Sequence, residues 1–125
     1  MFICVYARYN NELEAWDKSM KLNVQINENS YQIEVPDEML FRAESIYNKM
    51  DQDMDAGWQM SREWVSDLST RQRCQVVADR LLTAIEANNE ASTMLMAGYI
   101  MTHMPGISTV QIATDGDIMQ TDFHQ

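Results

Sequence analysis

Apolar and polar residues alternate along two short segments between residues 22 and 35. The apolar positions are Leu22, Val24, Ile26, Tyr31, Ile33 and Val35. A period of two places such side chains on one face of a β-sheet. The four residues between the segments, Asn27-Glu28-Asn29-Ser30, are of types that tolerate turn conformations. This pattern predicts a β-hairpin with one apolar face.

The pattern changes to helical spacing after Pro36 and Asp37, which end the strand and begin a helix. Apolar residues then recur three or four positions apart at Leu40, Ala43, Ile46, Tyr47, Met50, Met54, Trp58, Met60 and Val65. We expect at least part of this stretch to be one helix. The polar segment 66–70 predicts a break, because Ser, Thr and Asp favour caps and turns.

A second helical stretch runs from about Gln72 to His103. Much of its apolar stripe consists of Cys74, Val77, Leu81, Ile85, Leu95, Tyr99 and Ile100. An unbroken helix of this length would extend about 45 Å or more, which exceeds the width of a domain of this size. We therefore predict a break at Asn88-Asn89, and Pro105-Gly106 ends the second part.

The C-terminal residues predict two more strands. Ser108–Ala113 has strand-like composition, and Asp115-Gly116 is a turn dipeptide that leads to Ile118-Met119 and Phe123. The order of elements then predicts an α+β fold. Its antiparallel sheet would combine an N-terminal and a C-terminal β-hairpin, with two or three helices packed on one face.

The first part of the chain is poorly specified by its pattern. Residues 1–19 combine a short apolar run with a polar segment, whereas Met20-Lys21 opens a cleanly patterned strand. One hypothesis is that translation begins at Met20. We expect residues 20–125 to form a single domain, since a chain of 125 residues buries roughly two-thirds of its unfolded surface.

The charge of the chain indicates which classes of macromolecule it can bind. The net charge is −10, and all nine Lys and Arg residues lie at or before Arg80. Nucleic-acid binding is disfavoured, because it requires clustered cations, whereas a basic protein partner would be attracted.

Cys4 and Cys74 are too few for a disulfide framework or a four-ligand zinc site. No apolar stretch reaches the roughly 20 residues of a membrane span. We expect a cytoplasmic protein without a cofactor or a membrane partner.

The segment Asp51-Gln52-Asp53-Met54-Asp55 has the carboxylate spacing that begins an EF-hand calcium loop. An EF-hand requires Gly at the sixth position and Glu at the twelfth, where this chain has Ala56 and Arg62. The helical apolar stripe also continues through the segment. We interpret it as a solvated helix face and retain a divalent-metal site of Asp51, Asp55 and Glu63 as the alternative.

Methionine is abundant, with eleven residues, and several surround His103. Thioether and imidazole ligands suit Cu(I), but Met94, Met101 and Met104 fall on one side of a helix and Met96 on another. Adaptable core packing is the interpretation we favour over a copper site, and a Met-lined groove for a partner remains an alternative.

Arg71 and Arg73 begin the second helical stretch and have two interpretations. They could bind an anion or an acidic peptide, or they could form surface ion pairs with Glu63, Asp67 and Asp79. Nothing in the sequence selects the anion site, so surface ion pairing is the interpretation we favour.

The functional hypothesis rests on aromatic and Met side chains, which are enriched at protein interfaces. We expect a small non-enzymatic interaction module or homodimer, with no catalytic residue, that binds a protein partner or itself through Trp58, Trp64, Met54 and Tyr99. The alternative is a small divalent-metal-dependent enzyme. In that enzyme the metal ligands would be Asp51, Asp55 and Glu63, and Arg71 and Arg73 would hold a phosphorylated substrate.

Overall fold

A computed structural model describes residues 19–60, 63–115 and 117–125. Its strands are β1 (Ser19–Ile26), β2 (Asn29–Pro36), β3 (Trp58–Met60), β4 (Glu63–Val65), β5 (Thr109–Ile112) and β6 (Asp122–His124). Its helices are α1 (Asp37–Arg42), α2 (Glu44–Asp55), α3 (Thr70–Glu86), α4 (Glu90–His103) and a short 3₁₀ helix (Ile118–Gln120). The poorly specified segment 1–19 lies outside the described residues except for Ser19, so the hypothesis about Met20 stays a prediction.

The predicted N-terminal hairpin is confirmed. β1 and β2 pair antiparallel, and the two-residue turn Asn27-Glu28 joins Ile26 to Asn29. Asn27 has a φ of 57°, a left-handed conformation that Asn tolerates better than most residues. The alternating sequence located both strands, but the turn is two residues long rather than the four predicted, because Asn29 and Ser30 belong to β2 and set its register.

The main sheet is mixed, so the prediction of a purely antiparallel sheet was wrong. The strand order is β2-β1-β5-β6, and β5 runs parallel to β1, with Val24 opposite Val110. β6 is antiparallel to β5, but it begins only at Asp122 because Ile118–Gln120 form the 3₁₀ helix. A parallel pair requires a long crossover connection, and the segment that contains the helices supplies it.

The helical segments agree with the predicted breaks, but the described chain has four α-helices rather than the two or three predicted, and the first helical stretch is shorter than expected. Ser69 begins α3 with a capping box that also uses Gln72, and Asn89 caps α4. The helical spacing that continues to Val65 was misleading, because α2 ends at Asp55 and residues 58–65 contain the β3–β4 hairpin. Gly57 makes this reversal: its φ is 103°, and a Cβ atom there would lie 2.8 Å from the Trp64 ring.

The core lies between the sheet and the helices. Leu22, Val24, Val35 and Val110 are fully buried, and α4 contacts both β1 and β2 while α3 contacts β5. The intervening strand residues, including Lys21, Asn23 and Gln32, are exposed. Four methionines also belong to this core, namely Met50, Met54, Met60 and Met101. None of the helices described in the structure combines the length and apolar character that crossing a membrane requires.

Candidate functional site

A cluster of polar side chains joins α2, α3 and α4, with the carboxylate of Asp51 at its centre. The Tyr99 hydroxyl donates a hydrogen bond to Asp51 Oδ1. His103 Nε2 lies 3.0 Å from Asp51 Oδ2, and Arg73 Nη1 donates to Asp51 Oδ1 over 3.3 Å. One carboxylate on α2 therefore accepts hydrogen bonds from both of the longer helices.

Arg73 connects three parts of the chain. Its Nη2 donates to Asp55 Oδ1 over 2.7 Å, its Nη1 to the main-chain oxygen of Asp51, and its Nε to the main-chain oxygen of Leu68. The hydrogen bond to Asp55 is the main reason that the pKa of Arg73 is raised above its usual value. The guanidinium thus neutralises both carboxylates on this side of α2.

The pKa values within the cluster follow from burial and hydrogen bonding. Burial raises the pKa of Asp51, but hydrogen bonds from Tyr99, His103 and Arg73 and the charge of His103 together lower it below its usual value. Burial and the nearby Asp51 carboxylate raise the pKa of Tyr99, and the same two causes raise the pKa of Cys74 to about 12. Asp51 is therefore the negatively charged member, beside two groups that remain neutral.

His103 is engaged through both ring nitrogens. Its Nδ1 lies 2.9 Å from the main-chain oxygen of Tyr99, and its Nε2 faces Asp51. Both partners are acceptors, so both bonds form together only when each ring nitrogen carries a proton. In that state the imidazole has no free nitrogen to remove a proton from a substrate. Neither of the two cavities described below is lined by His103 or Asp51. The cluster thus connects three helices through side-chain hydrogen bonds.

The residues of the predicted metal site do not come together as a ligand set. Asp51 and Asp55 share α2 and both bind Arg73, whereas Glu63 is exposed on β4. Within the described ranges, no group of three His, Cys, Asp or Glu side chains is placed to hold a metal ion. The guanidinium of Arg73 occupies the position between Asp51 and Asp55 that a shared metal ion would need.

The residues of the predicted interaction face have different environments. Met54 and Tyr99 are buried in the core, so neither side chain is available to a partner in this fold. Trp58 is half-buried, with the Arg80 guanidinium 5.0 Å from its ring centre. Trp64 alone of the four is broadly accessible, with 60% of its surface exposed.

Arg71 and Arg73 do not share a site. Arg71 Nη2 donates to Asp122 Oδ1 over 2.7 Å, and its guanidinium lies 5.2 Å from the centre of the Phe123 ring. This hydrogen bond is the main reason that the pKa of Asp122 is lowered. Both arginines form ion pairs, but with Asp51, Asp55 and Asp122 rather than with the carboxylates that sequence proximity suggested.

A groove of about 620 Å³ runs beside β2, at the end of the sheet where α3 is followed by α4. It is lined by Ser30, Tyr31, Gln32, Ile33, Glu34, Ile85, Asn88, Glu90, Thr93 and Met94. Burial along the helix-facing side of β2 shows why the groove exists: Val35 is fully buried, but Tyr31 is 40% exposed. The helical layer covers one end of β2 and leaves the other open. A second cavity, of about 460 Å³, is polar and lies beside the ends of β1 and β5.

No protein-family model, curated protein or solved structure matches this chain.

Sequence reasoning identified β2 as a strand but did not find the groove. The hydrophobic pattern gives the face of a strand, whereas its position at the edge of a sheet depends on strand order. The groove also needs Ile85 and Met94, which enter from the helical layer. No signal in the linear sequence connects these two residues with Tyr31.

Proposed function

We propose that this protein is a non-enzymatic interaction module that binds an extended segment of a partner polypeptide by strand addition to β2. The observation that carries the proposal is the free edge of β2 beside an apolar groove. β2 is the outer strand in the order β2-β1-β5-β6, and the described part of the chain places no strand on its other side.

The hydrogen-bonding groups of this edge follow from the register. In a two-residue hairpin the pair that closes the turn, Ile26 and Asn29, is hydrogen bonded, and such pairs then alternate with non-bonded ones. The main-chain groups of Ser30, Gln32 and Glu34 therefore point away from β1. Three residues thus offer a donor and an acceptor each to an added strand.

Natural edge strands usually carry features that prevent such pairing, among them Lys residues, proline and bulges. β2 pairs regularly with β1 over eight residues, and its one proline, Pro36, is the last of them. Strand addition supplies affinity through main-chain hydrogen bonds and specificity through pockets for alternate side chains. Tyr31, Ile85 and Met94 provide an apolar surface for those side chains.

The alternative function, a metal-dependent enzyme, has less support from the same geometry. It would need Asp51 and Asp55 free to bind a cation, but both form ion pairs with Arg73. The arginines that would hold the substrate pair with carboxylates on different elements, Arg71 with Asp122 and Arg73 with Asp55. Glu63, the third proposed metal ligand, is exposed on β4.

The test uses a displayed library of random ten-residue peptides as the binding probe. We expect enriched peptides to shift the main-chain amide resonances of Ser30, Gln32 and Glu34. Gln32→Pro removes one outward N–H and should abolish binding, whereas Gln32→Ala removes the same side chain but keeps the N–H and should bind normally. Circular dichroism of both variants checks that they remain folded.

Three results would contradict the proposal. They are the absence of enriched peptides, resonance shifts confined to another surface, and undiminished binding by a folded Gln32→Pro variant.

A further inference from the structure

We infer that the segment bound at β2 is basic, alternating apolar side chains with Lys or Arg. This inference rests on the proposed function and names the chemical class of the partner. It follows from the charges that border the groove and from the two-residue period of an added strand.

The apolar half of the pattern follows from the two faces of β2. In a strand added to β2, alternate side chains point toward the helices, beside Tyr31 and Ile33. Ile85 and Met94 form the opposite side of this space. Valine, isoleucine or leucine at these positions would cover apolar surface that is now partly exposed.

The basic half of the pattern follows from two carboxylates. Glu34 and Glu90 line the groove, and Lys, Arg and His are absent from its lining. Within the described parts of the chain, neither carboxylate forms an ion pair. Lys21 is opposite Glu34 in the β1–β2 register but makes no ion pair with it. Glu34 alternates with the buried Ile33 and Val35 and lies on the face of β2 that points away from the helices, so cationic side chains that alternate with the apolar ones of an added strand would lie beside it. Glu90 adds negative charge on the helical side of the groove.

The overall charge of the protein also favours a basic partner. A net charge of −10 attracts a basic segment at long range and repels a second copy of this chain. Charge complementarity therefore favours a basic partner over self-association through β2. It also predicts binding that weakens as salt is added, because exposed charges are screened.

The test compares three peptides that share valine at alternate positions and carry Lys, Gln or Glu at the others. We expect the Lys peptide to bind roughly fivefold or more tighter than the Gln peptide, and the Glu peptide to bind most weakly. Raising the salt concentration from about 0.05 to about 0.5 M should remove most of this difference.

Matched variants assign the effect to the groove. The double variant Glu34→Gln and Glu90→Gln should lose the preference for Lys. The control, Glu44→Gln with Glu63→Gln, removes the same charge at two exposed positions outside the groove and should keep the preference.

The outcomes separate the inference from the proposed function. Equal binding of all three peptides, still blocked by Gln32→Pro, overturns the basic partner but leaves strand addition intact. A dimer in sedimentation that Gln32→Pro dissociates also overturns it, because the occupant is then a second copy. Failure of all three peptides, together with an empty library selection, overturns both.

Discussion

Asp51 and His103 are 52 positions apart in the chain and are joined by a contact of 3.0 Å between Oδ2 and Nε2. The imidazole also stacks on the Tyr99 ring, with the ring centres 3.8 Å apart. The Tyr99 hydroxyl in turn donates a hydrogen bond to the same carboxylate. Asp51 therefore holds α2 against α4 through two side chains and against α3 through Arg73.

Replacing this carboxylate should destabilise the fold. Asp51→Asn removes the charge that accepts three hydrogen bonds and leaves partly buried donors poorly satisfied, so we expect a loss of about 2 kcal/mol in the free energy of unfolding. Urea denaturation measures it. The control is Asp53→Asn on the same helix, where the exposed ion pair with Lys49 contributes less than about 0.5 kcal/mol. Equal effects of the two substitutions would contradict the central role of Asp51.

The effect of Asp51→Asn should depend on pH. Hydrogen bonds lower the pKa of Asp51 in the folded state, so its contribution to stability is fully present above the unfolded value of about 4. The contribution is lost as the pH falls through the lowered folded value. The difference in unfolding free energy between wild type and Asp51→Asn should thus narrow as the pH falls below about 5. Urea titrations across this range measure it, and a constant difference would refute the assignment.

We expect the protein to lose stability at alkaline pH, because two side chains that are neutral when buried ionise more readily in the unfolded chain. Burial raises the pKa of Tyr47 to about 12, and burial with the charge of Asp51 raises that of Cys74 to about 12. Their contributions are complete below the unfolded values of about 10 and 8.5 and are lost as the pH rises toward the folded values. In a Cys4→Ser background, Cys74→Ala should delay the onset of the alkaline decline and cost about 1 kcal/mol at neutral pH. An unchanged onset would exclude Cys74 as a cause.

Gly98 should not tolerate even a methyl group. A Cβ atom at this position of α4 would collide with the Tyr47 hydroxyl and lie 2.7 Å from Leu40 Cδ2. We expect Gly98→Ala to cost roughly 2 kcal/mol, because the better helix propensity of alanine is outweighed by the clash. The Tyr47 hydroxyl also donates to the main-chain oxygen of Leu95 over 2.8 Å. In a double-mutant cycle, Tyr47→Phe should therefore recover part of the Gly98→Ala loss, and strict additivity would argue against the collision.

The sequence predicted the local elements better than their arrangement. Alternation and turn residues located the hairpin around Asn27, and polar residues predicted the breaks at 66–70 and at Asn88-Asn89 that precede α3 and α4. The pairing of β5 with β1 was not predictable in this way, because periodicity carries no information about which strands become neighbours. The helical spacing beyond Asp55 failed because the conformation of Gly57 overrides it.

The residues of the candidate site were likewise recognised individually, but their mutual arrangement was not predicted. Arg73 and Asp51 were recognised as candidates, but their pairing depends on how α3 packs against α2. Tyr99 was expected at an interface and is instead fully buried, since a Tyr in an apolar helical stripe fits a core equally well. Among the described strands, β2 has a free edge because β1 lies between β2 and β5.

The central position of β1 also affects how the chain is completed during synthesis. Gln25 of β1 and Gln111 of β5 form a side-chain hydrogen bond across 86 positions. At about 5–20 residues per second, the ribosome needs on the order of ten seconds to synthesise that interval. Among the described strands, a hairpin of β1 and β2 formed in this interval has two unpaired edges, one on β2 and one on β1. Arrival of β5 closes the inner edge, so that β2 and β6 become the outer strands of the described sheet.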